Sequence, residues 1–397
     1  MEDELRVGAV LREASNRTGL DDFGGRDFLE PLGILLCSLE EEGRLTVAGR
    51  TSLMERIIGL LVNRLRLQYW LAKHPEILEE QIDDPLVIVG FPRTGTTMLQ
   101  RLMASDPRAT ALLWWEARNP APFQGWSPAL AARTPDQRIA DAKEQMRRML
   151  EGNPDLAAVH PFDAEAPDED AILLEHAFRS SAPASLGNIP TYLKWHLGHD
   201  NRAAYQYLKQ ALRCIQWQKR HRGEAAGRWV LKAPEHMSHL LLLFEQFPKA
   251  TVIQPHRDPV EIYPSLASMV FELRRLASDS VAPTEAAAYV RTSSAHRITR
   301  LLEARRVLPA ERFIDIRFKD VMSDPIGQIG YIYGRLGIDF THEAKQCMNS
   351  WVAENRREQR PMHEYTLEQF GFDAREIRQE LAEYRETYVL PFSQRAG

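Results

Sequence analysis

The 397-residue chain has only three cysteines, Cys37, Cys214 and Cys347, and they lie far apart. No two have the close spacing of a zinc or redox motif, and an odd, scattered count does not build a disulfide framework. Buried thiols in a reducing compartment are expected, and hence a cytoplasmic protein. A basic excess is also missing: 50 Lys and Arg stand against 55 Asp and Glu, for a net charge of −5. Without a global positive field, non-specific nucleic-acid binding is not expected. Long apolar runs are absent too. The stretches IIGLLVNRLRL and LLLLFEQF are both interrupted by polar groups, so no membrane span is expected. The opening MEDELRVGAVLREAS starts acidic and has no signal-peptide core. No internal repeat or low-complexity tract is visible.

Core-forming material is plentiful, with 44% apolar and 26% charged residues, as in a soluble globular protein. The length allows two or three average domains, or one large α/β domain with additions.

The most informative segment is PLVIVGFPRTGTT, from Pro85 to Thr97. It reads as a short apolar strand from Leu86 to Val89, a turn from Gly90 to Gly95, and a helix opened by Thr96 and Thr97. Such a turn aims backbone N–H groups into one concavity and backs them with a helix N-terminus, which makes an anion site. The glycine spacing matches the first half of a P-loop, but Thr96 stands where the lysine belongs. The basic residue is instead Arg93, inside the turn. That placement suits one terminal phosphate better than a β/γ-phosphate pair held with a metal.

Upstream, Ile57, Leu60, Leu61, Leu65, Leu67 and Leu71 recur at helical spacing, and Pro75 ends the helix. Residues 1–83 are expected to be a helical extension. Three more strand–turn–helix units follow the first. Trp229–Leu231 leads into KAPEH, Ala250–Gln254 into HRDPVE, and Phe313–Ile316 into a helix ending near Gly337. Alternating strands and helices predict an α/β fold: a P-loop-like parallel sheet flanked by helices, over residues 84–340. An irregular insert at about 110–225 is expected to line the acceptor site. Ligands gather at the carboxyl ends of such strands. The turns there carry Arg93, then Lys232 and His236, then His256 and Arg257.

This constellation resembles the sulfotransferases that use 3′-phosphoadenosine 5′-phosphosulfate, in particular their bacterial branch and the relatives that sulfate protein tyrosines. GFPRTGTT is similar to the family's 5′-phosphosulfate loop, which implies donor contacts from Arg93, Thr94, Gly95, Thr96 and Thr97. HRDPVEIYPSLASM is similar to the 3′-phosphate motif, which implies Arg257 and Ser265. LKAPEH resembles the Lys-x-Pro turn whose lysine, here Lys232, faces the transferring sulfuryl group. The resemblance covers roughly residues 85–340. It implies a sulfotransferase acting on a hydroxyl acceptor, expected to be a small alcohol or phenol, with no metal required. No carboxylate/histidine cluster at ligand spacing is visible in the sequence.

For the base that takes the acceptor's proton, the resemblance leaves two candidates. One is Glu116 in WWEAR, beside two tryptophans; the other is His236, four residues after Lys232. The acidic loop with Asp163, Glu165, Asp168, Glu169 and Asp170 reads either as a solvated helix start or as a contact to the acceptor, Arg93 or Lys232. Residues 341–397 are expected to form a loop and helix closing on the nucleotide, with Arg356, Arg357, Arg360 and His363 as its basic groups and Arg360 as a donor contact. Phe318 stands where the tyrosine-sulfating relatives have a Tyr. Two alternatives remain open: a P-loop kinase, and a non-catalytic nucleotide-binding protein of the same fold.

Overall fold

A computed structural model describes residues 2–152, 162–224, 227–355 and 365–391. Its centre is a five-stranded sheet of β1 (Leu86–Ile88), β2 (Ala109–Ala111), β3 (Arg228–Lys232), β4 (Thr251–His256) and β5 (Phe313–Arg317). The order across the sheet is β2-β3-β1-β4-β5, and every pairing is parallel. The expected parallel α/β sheet is therefore present, with one strand more than the sequence revealed. Three-residue β2 is too short to display a period, which is why it was not legible.

Side-chain alternation along β1 assigns the two faces. Leu86 and Ile88 join Val230, Ile253 and Ile314 under the helix Thr96–Ala104, whose Leu99, Leu102 and Met103 are buried there. Val87 and Val89 face the other way, into the larger core with Leu231 and Val252. Three N-terminal helices, α1 (Glu2–Thr18), α2 (Leu29–Glu41) and α3 (Val47–Lys73), build on that second face. Leu61, Leu65 and Leu71 of α3 belong to the same core as Val87 and Leu231. The N-terminal helices therefore share a continuous core with the sheet. The Thr46 hydroxyl starts α3 by accepting from the Gly49 N–H at 3.0 Å.

The stretch expected to be irregular is more helical than its composition suggests. It contains a 20-residue helix, Arg202–His221, with Tyr205, Leu208, Leu212 and Ile215 buried. Frequent Gln, Lys and Arg on its outer face hide the stripe in a plain reading of composition. Among the described residues, no helix is long and apolar enough to cross a membrane.

This topology positions the site. From β1 the chain moves to one side of the sheet, returns through β3, and then crosses to β4 on the other side of β1. The reversal opens a crevice at the carboxyl end of β1, where open α/β sheets bind ligands. Register places Ile88 opposite both Lys232 and Ile253, so the turns after all three strands meet at one edge.

Candidate active site

The turn after β1 is held by its glycines and by one strained arginine. Gly95 has φ +80° and Arg93 has φ +69°, a left-handed region that costs a non-glycine residue about 1–2 kcal/mol. Strain of this kind persists where surrounding contacts over-determine it. A Cβ on Gly90 would meet the Thr94 hydroxyl at 3.2 Å and the Pro255 carbonyl at 3.3 Å, so the turn lies close against the end of β4. The Thr94 hydroxyl donates to the Phe91 carbonyl at 2.6 Å. Thr94 thus closes the turn with its side chain, leaving its N–H as the group it can offer outward.

Predicted cations fall into two groups. In the first, Arg93 Nε donates to Ser265 Oγ at 3.1 Å, and Arg257 donates to the Arg93 carbonyl at 2.8 Å. Two motifs 164 residues apart are thereby joined. The Arg257 guanidinium also lies over the Phe318 ring, 4.4 Å from its centroid, a favourable cation–π geometry. A groove beside it is lined by Arg257, Glu261, Arg317, Phe318, Lys319 and Tyr388. Phe318 further packs on Gly95, where an added Cβ would meet its ring at 3.5 Å.

In the second group, Lys232 is fully buried at the end of β3. Its ammonium donates to Glu169 at 2.7 Å and lies 3.4 Å from the Thr97 hydroxyl. A buried ammonium carries a desolvation penalty of several kcal/mol unless it is paired, and Glu169 supplies the pair. The Glu169 side chain itself remains 31% exposed. Its loop is clamped on three sides. The Asp170 N–H donates to the Lys232 carbonyl at 3.3 Å, the Asp168 N–H to the Leu112 carbonyl at 2.9 Å, and Gln100 to the Asp168 carbonyl at 2.9 Å. The acidic loop therefore orients Lys232, the second of the two readings its sequence allowed.

Both expected bases are buried and held by protein partners. Glu116 is 1% exposed, and its carboxylate accepts from Lys219 at 2.9 Å, Arg222 at 2.7 Å and the Leu113 N–H at 3.1 Å. Its Oε1 anchors the short helix Trp114–Arg118 to the end of Arg202–His221, and its Oε2 caps the start of its own helix. His236 is fully buried between two partners, with Nδ1 2.7 Å from the Tyr205 hydroxyl and Nε2 2.9 Å from Asp170. Burial pushes the Tyr205 phenol up, so it keeps its proton. Both ring nitrogens are engaged, and the ring locks the turn after β3 onto the acidic loop. Tyr205 was missed because only the register of its helix brings it here.

The expectation about metal-type clusters needs a correction. His196, Glu235 and His239 have possible ligand atoms within 4.8 Å of one another. Glu235 and His239 are four residues apart, but His196 comes from 39 residues before Glu235, so the three-residue cluster was not legible in the chain. In the structure Glu235 bonds His196 at 2.8 Å and Ser181 Oγ at 2.6 Å, while Asn201 bonds His239 at 2.9 Å. These groups form a polar network beneath the turn that carries His236, in which His196 Nδ1 and Asn201 Oδ1 are buried without a hydrogen-bond partner. Arg356, Arg357, Arg360 and His363 lie outside the described residues.

Residues 85–342 match the sulfotransferase family model. The chain belongs to that family. It is 25% identical over 303 residues to the omega-hydroxy-beta-dihydromenaquinone-9 sulfotransferase Stf3 of Mycobacterium bovis, across 72% of this chain and 71% of that one. The Mycobacterium tuberculosis protein of the same name matches equally. Among solved structures, the sulfotransferase STF1 of Mycobacterium tuberculosis superposes with a TM-score of 0.82 at 27% identity, covering 95% of this chain and 98% of that one. Sulfotransferase STF9 of Mycobacterium avium gives 0.85 at 26% identity, covering 96% of each. Membership in the sulfotransferase family displaces the kinase alternative, in agreement with Thr96 standing in the lysine position of a P-loop. It also makes the protein an enzyme rather than a non-catalytic binder of the same fold.

Proposed function

We propose that this sulfotransferase moves a sulfuryl group from 3′-phosphoadenosine 5′-phosphosulfate to an alcohol on an apolar acceptor. The observation that carries the reading is the pair of cation groups flanking one glycine turn. Arg93, Arg257 and Ser265 meet on one side, and Lys232 with Thr97 on the other. A donor with an anion at each end of its nucleoside matches that division. The 3′-phosphate would take Arg257 and Ser265, and the phosphosulfate would take the turn's N–H groups from Thr94 to Thr97. Phe318 and the groove beside Arg257 would receive the nucleoside.

In the reaction the acceptor oxygen forms a new O–S bond as the S–O bond to the 5′-phosphate breaks. The electron pair of that bond leaves on the phosphate oxygen, and the acceptor's proton must be removed. Charge spreads over the sulfuryl oxygens and the leaving phosphate, as it does in phosphoryl transfer. Lys232 and the preorganised N–H donors stabilise that charge without reorganising solvent. Lys232 carries three donors, so it can hold Glu169 and Thr97 and still face the sulfuryl group.

For the acceptor, the 25%-identical relatives are named for an omega-hydroxylated menaquinone derivative. This supports a hydroxyl on a lipid-like molecule over the small alcohol or phenol that the sequence suggested. The test is calorimetry with 3′-phosphoadenosine 5′-phosphate, followed by transfer of radiolabel from the donor to a panel of long-chain alcohols and phenols. Nucleotide binding with label on the alcohols is expected. Label on phenols alone would overturn the acceptor class, and no nucleotide binding would overturn the donor.

A further inference from the structure

We infer that Glu169 is the general base of the transfer. This rests on the donor reading above and adds to it the group that accepts the acceptor's proton. Three ionisable groups compete for the role, and their surroundings separate them. Glu116 spends its oxygens on Lys219, Arg222 and the Leu113 N–H in a buried site. His236 gives one ring nitrogen to Tyr205 and the other to Asp170, with no exposed surface. Glu169 alone of the three combines solvent access with contact to the lysine of the sulfuryl site. One of its oxygens accepts from Lys232, and among the described residues the other makes no hydrogen bond.

Placement supports the assignment. The base must sit beside the sulfur that the acceptor oxygen attacks, within hydrogen-bond reach of that oxygen. Lys232 bridges Glu169 and the Thr97 hydroxyl at the opening of the loop helix. The same ammonium thus links the helix opening to a carboxylate that is 31% exposed to solvent. The backbone clamps from Lys232, Leu112 and Gln100 keep it there without occupying its carboxylate. Asp170, next in sequence, is fully buried against His236, so the two adjacent acids differ: one fixes the loop and the other keeps solvent access.

The step balances without another reactant. The acceptor oxygen bonds to sulfur, its proton passes to a Glu169 carboxylate oxygen, and the S–O bond to the nucleotide breaks with its electron pair on the 5′-phosphate. Glu169 then releases the proton to water as the products leave.

The test compares wild type, Glu169→Gln and Glu169→Ala with labelled donor and dodecanol or naphthol as acceptor, alongside calorimetry with 3′-phosphoadenosine 5′-phosphate. Gln retains the hydrogen bond to Lys232 but is a far weaker proton acceptor. Turnover of Glu169→Gln is expected to fall about 10²–10⁴-fold, with nucleotide affinity kept within about threefold of wild type, and formate should restore turnover to Glu169→Ala in a dose-dependent way. A structural role would not respond to formate. Glu169→Gln retaining more than roughly a tenth of wild-type turnover would overturn the assignment and leave the donor reading intact. Wild type that neither binds the nucleotide nor transfers label would overturn both.

Discussion

The Lys232 ammonium lies 2.7 Å from the Glu169 carboxylate, across 63 residues of sequence. That bond joins a strand end, where parallel-sheet folds present their ligand groups, to a loop of acidic residues whose composition alone reads as solvated surface. It neutralises a fully buried lysine while leaving the Glu169 side chain partly exposed. The same loop is tied to the turn after β3 by Asp170 and His236, so Lys232 and its partner are cross-linked a second time.

Glu116→Gln separates a structural from a chemical role. Removing this charge leaves Lys219 and Arg222, with side chains 7% and 13% exposed, with Glu224 as their remaining carboxylate partner. A hydrogen bond to a charged group is worth about 1.5–3 kcal/mol. Denaturant unfolding should therefore show a loss of about 1.5–3 kcal/mol, while turnover per folded molecule stays near wild type. A large fall in turnover with unchanged stability would return Glu116 to the chemistry.

Arg257→Ala addresses the nucleotide end. A charge-assisted hydrogen bond is worth about 1.5–3 kcal/mol. Calorimetry should show 3′-phosphoadenosine 5′-phosphate binding weakened roughly tenfold to a hundredfold, with adenosine 5′-phosphate little affected. Equal losses for both would mean that Arg257 supports the turn through the Arg93 carbonyl and does not read the 3′-phosphate.

Much of this arrangement was legible in the chain. The apolar strands, the glycine turn, and the order Arg93, Lys232, Arg257 sufficed to bring those turns to one sheet edge. What escaped were choices of direction. WWEAR forms a five-residue helix, too short for periodicity to say which side faces the cleft, and the cations that capture Glu116 lie over a hundred residues later. His236 looked available because nothing near it in sequence could block it; Tyr205 does so from the preceding helix. Ser265 was expected beside Arg257, and its bond to Arg93 required the fold to bring two turns together. Local pattern specifies elements, whereas tertiary register decides which partner a charged side chain takes.

Acid sensitivity has a definite source in His176. Burial holds this imidazole far below its usual 6.5, at about 3, against the opposing bond to the Ile172 carbonyl. The folded state therefore refuses a proton that the unfolded chain takes up. The resulting stability is complete above pH 6.5 and is lost as the pH falls from there towards about 3. Linkage gives about 1.4 kcal/mol for each pH unit in that window. Urea midpoints should decline from pH 7 to pH 5, and His176→Gln should reduce the slope by about that amount. An unchanged slope in the variant would assign the acid response to other groups.

The central claim is that Lys232 stabilises a sulfuryl group in flight from a phosphosulfate donor. Transfer of label from 3′-phosphoadenosine 5′-phosphosulfate to a long-chain alcohol, measured for wild type and Lys232→Met side by side, tests it most directly. Loss of one preorganised donor in such a site costs about 10²–10³ in turnover. The account predicts label on the alcohol with wild type, a fall of at least that size in the variant, and 3′-phosphoadenosine 5′-phosphate binding retained by both. Lys232→Met turning over at the wild-type rate, or wild type leaving the label on the donor with every alcohol and phenol tried, would contradict it.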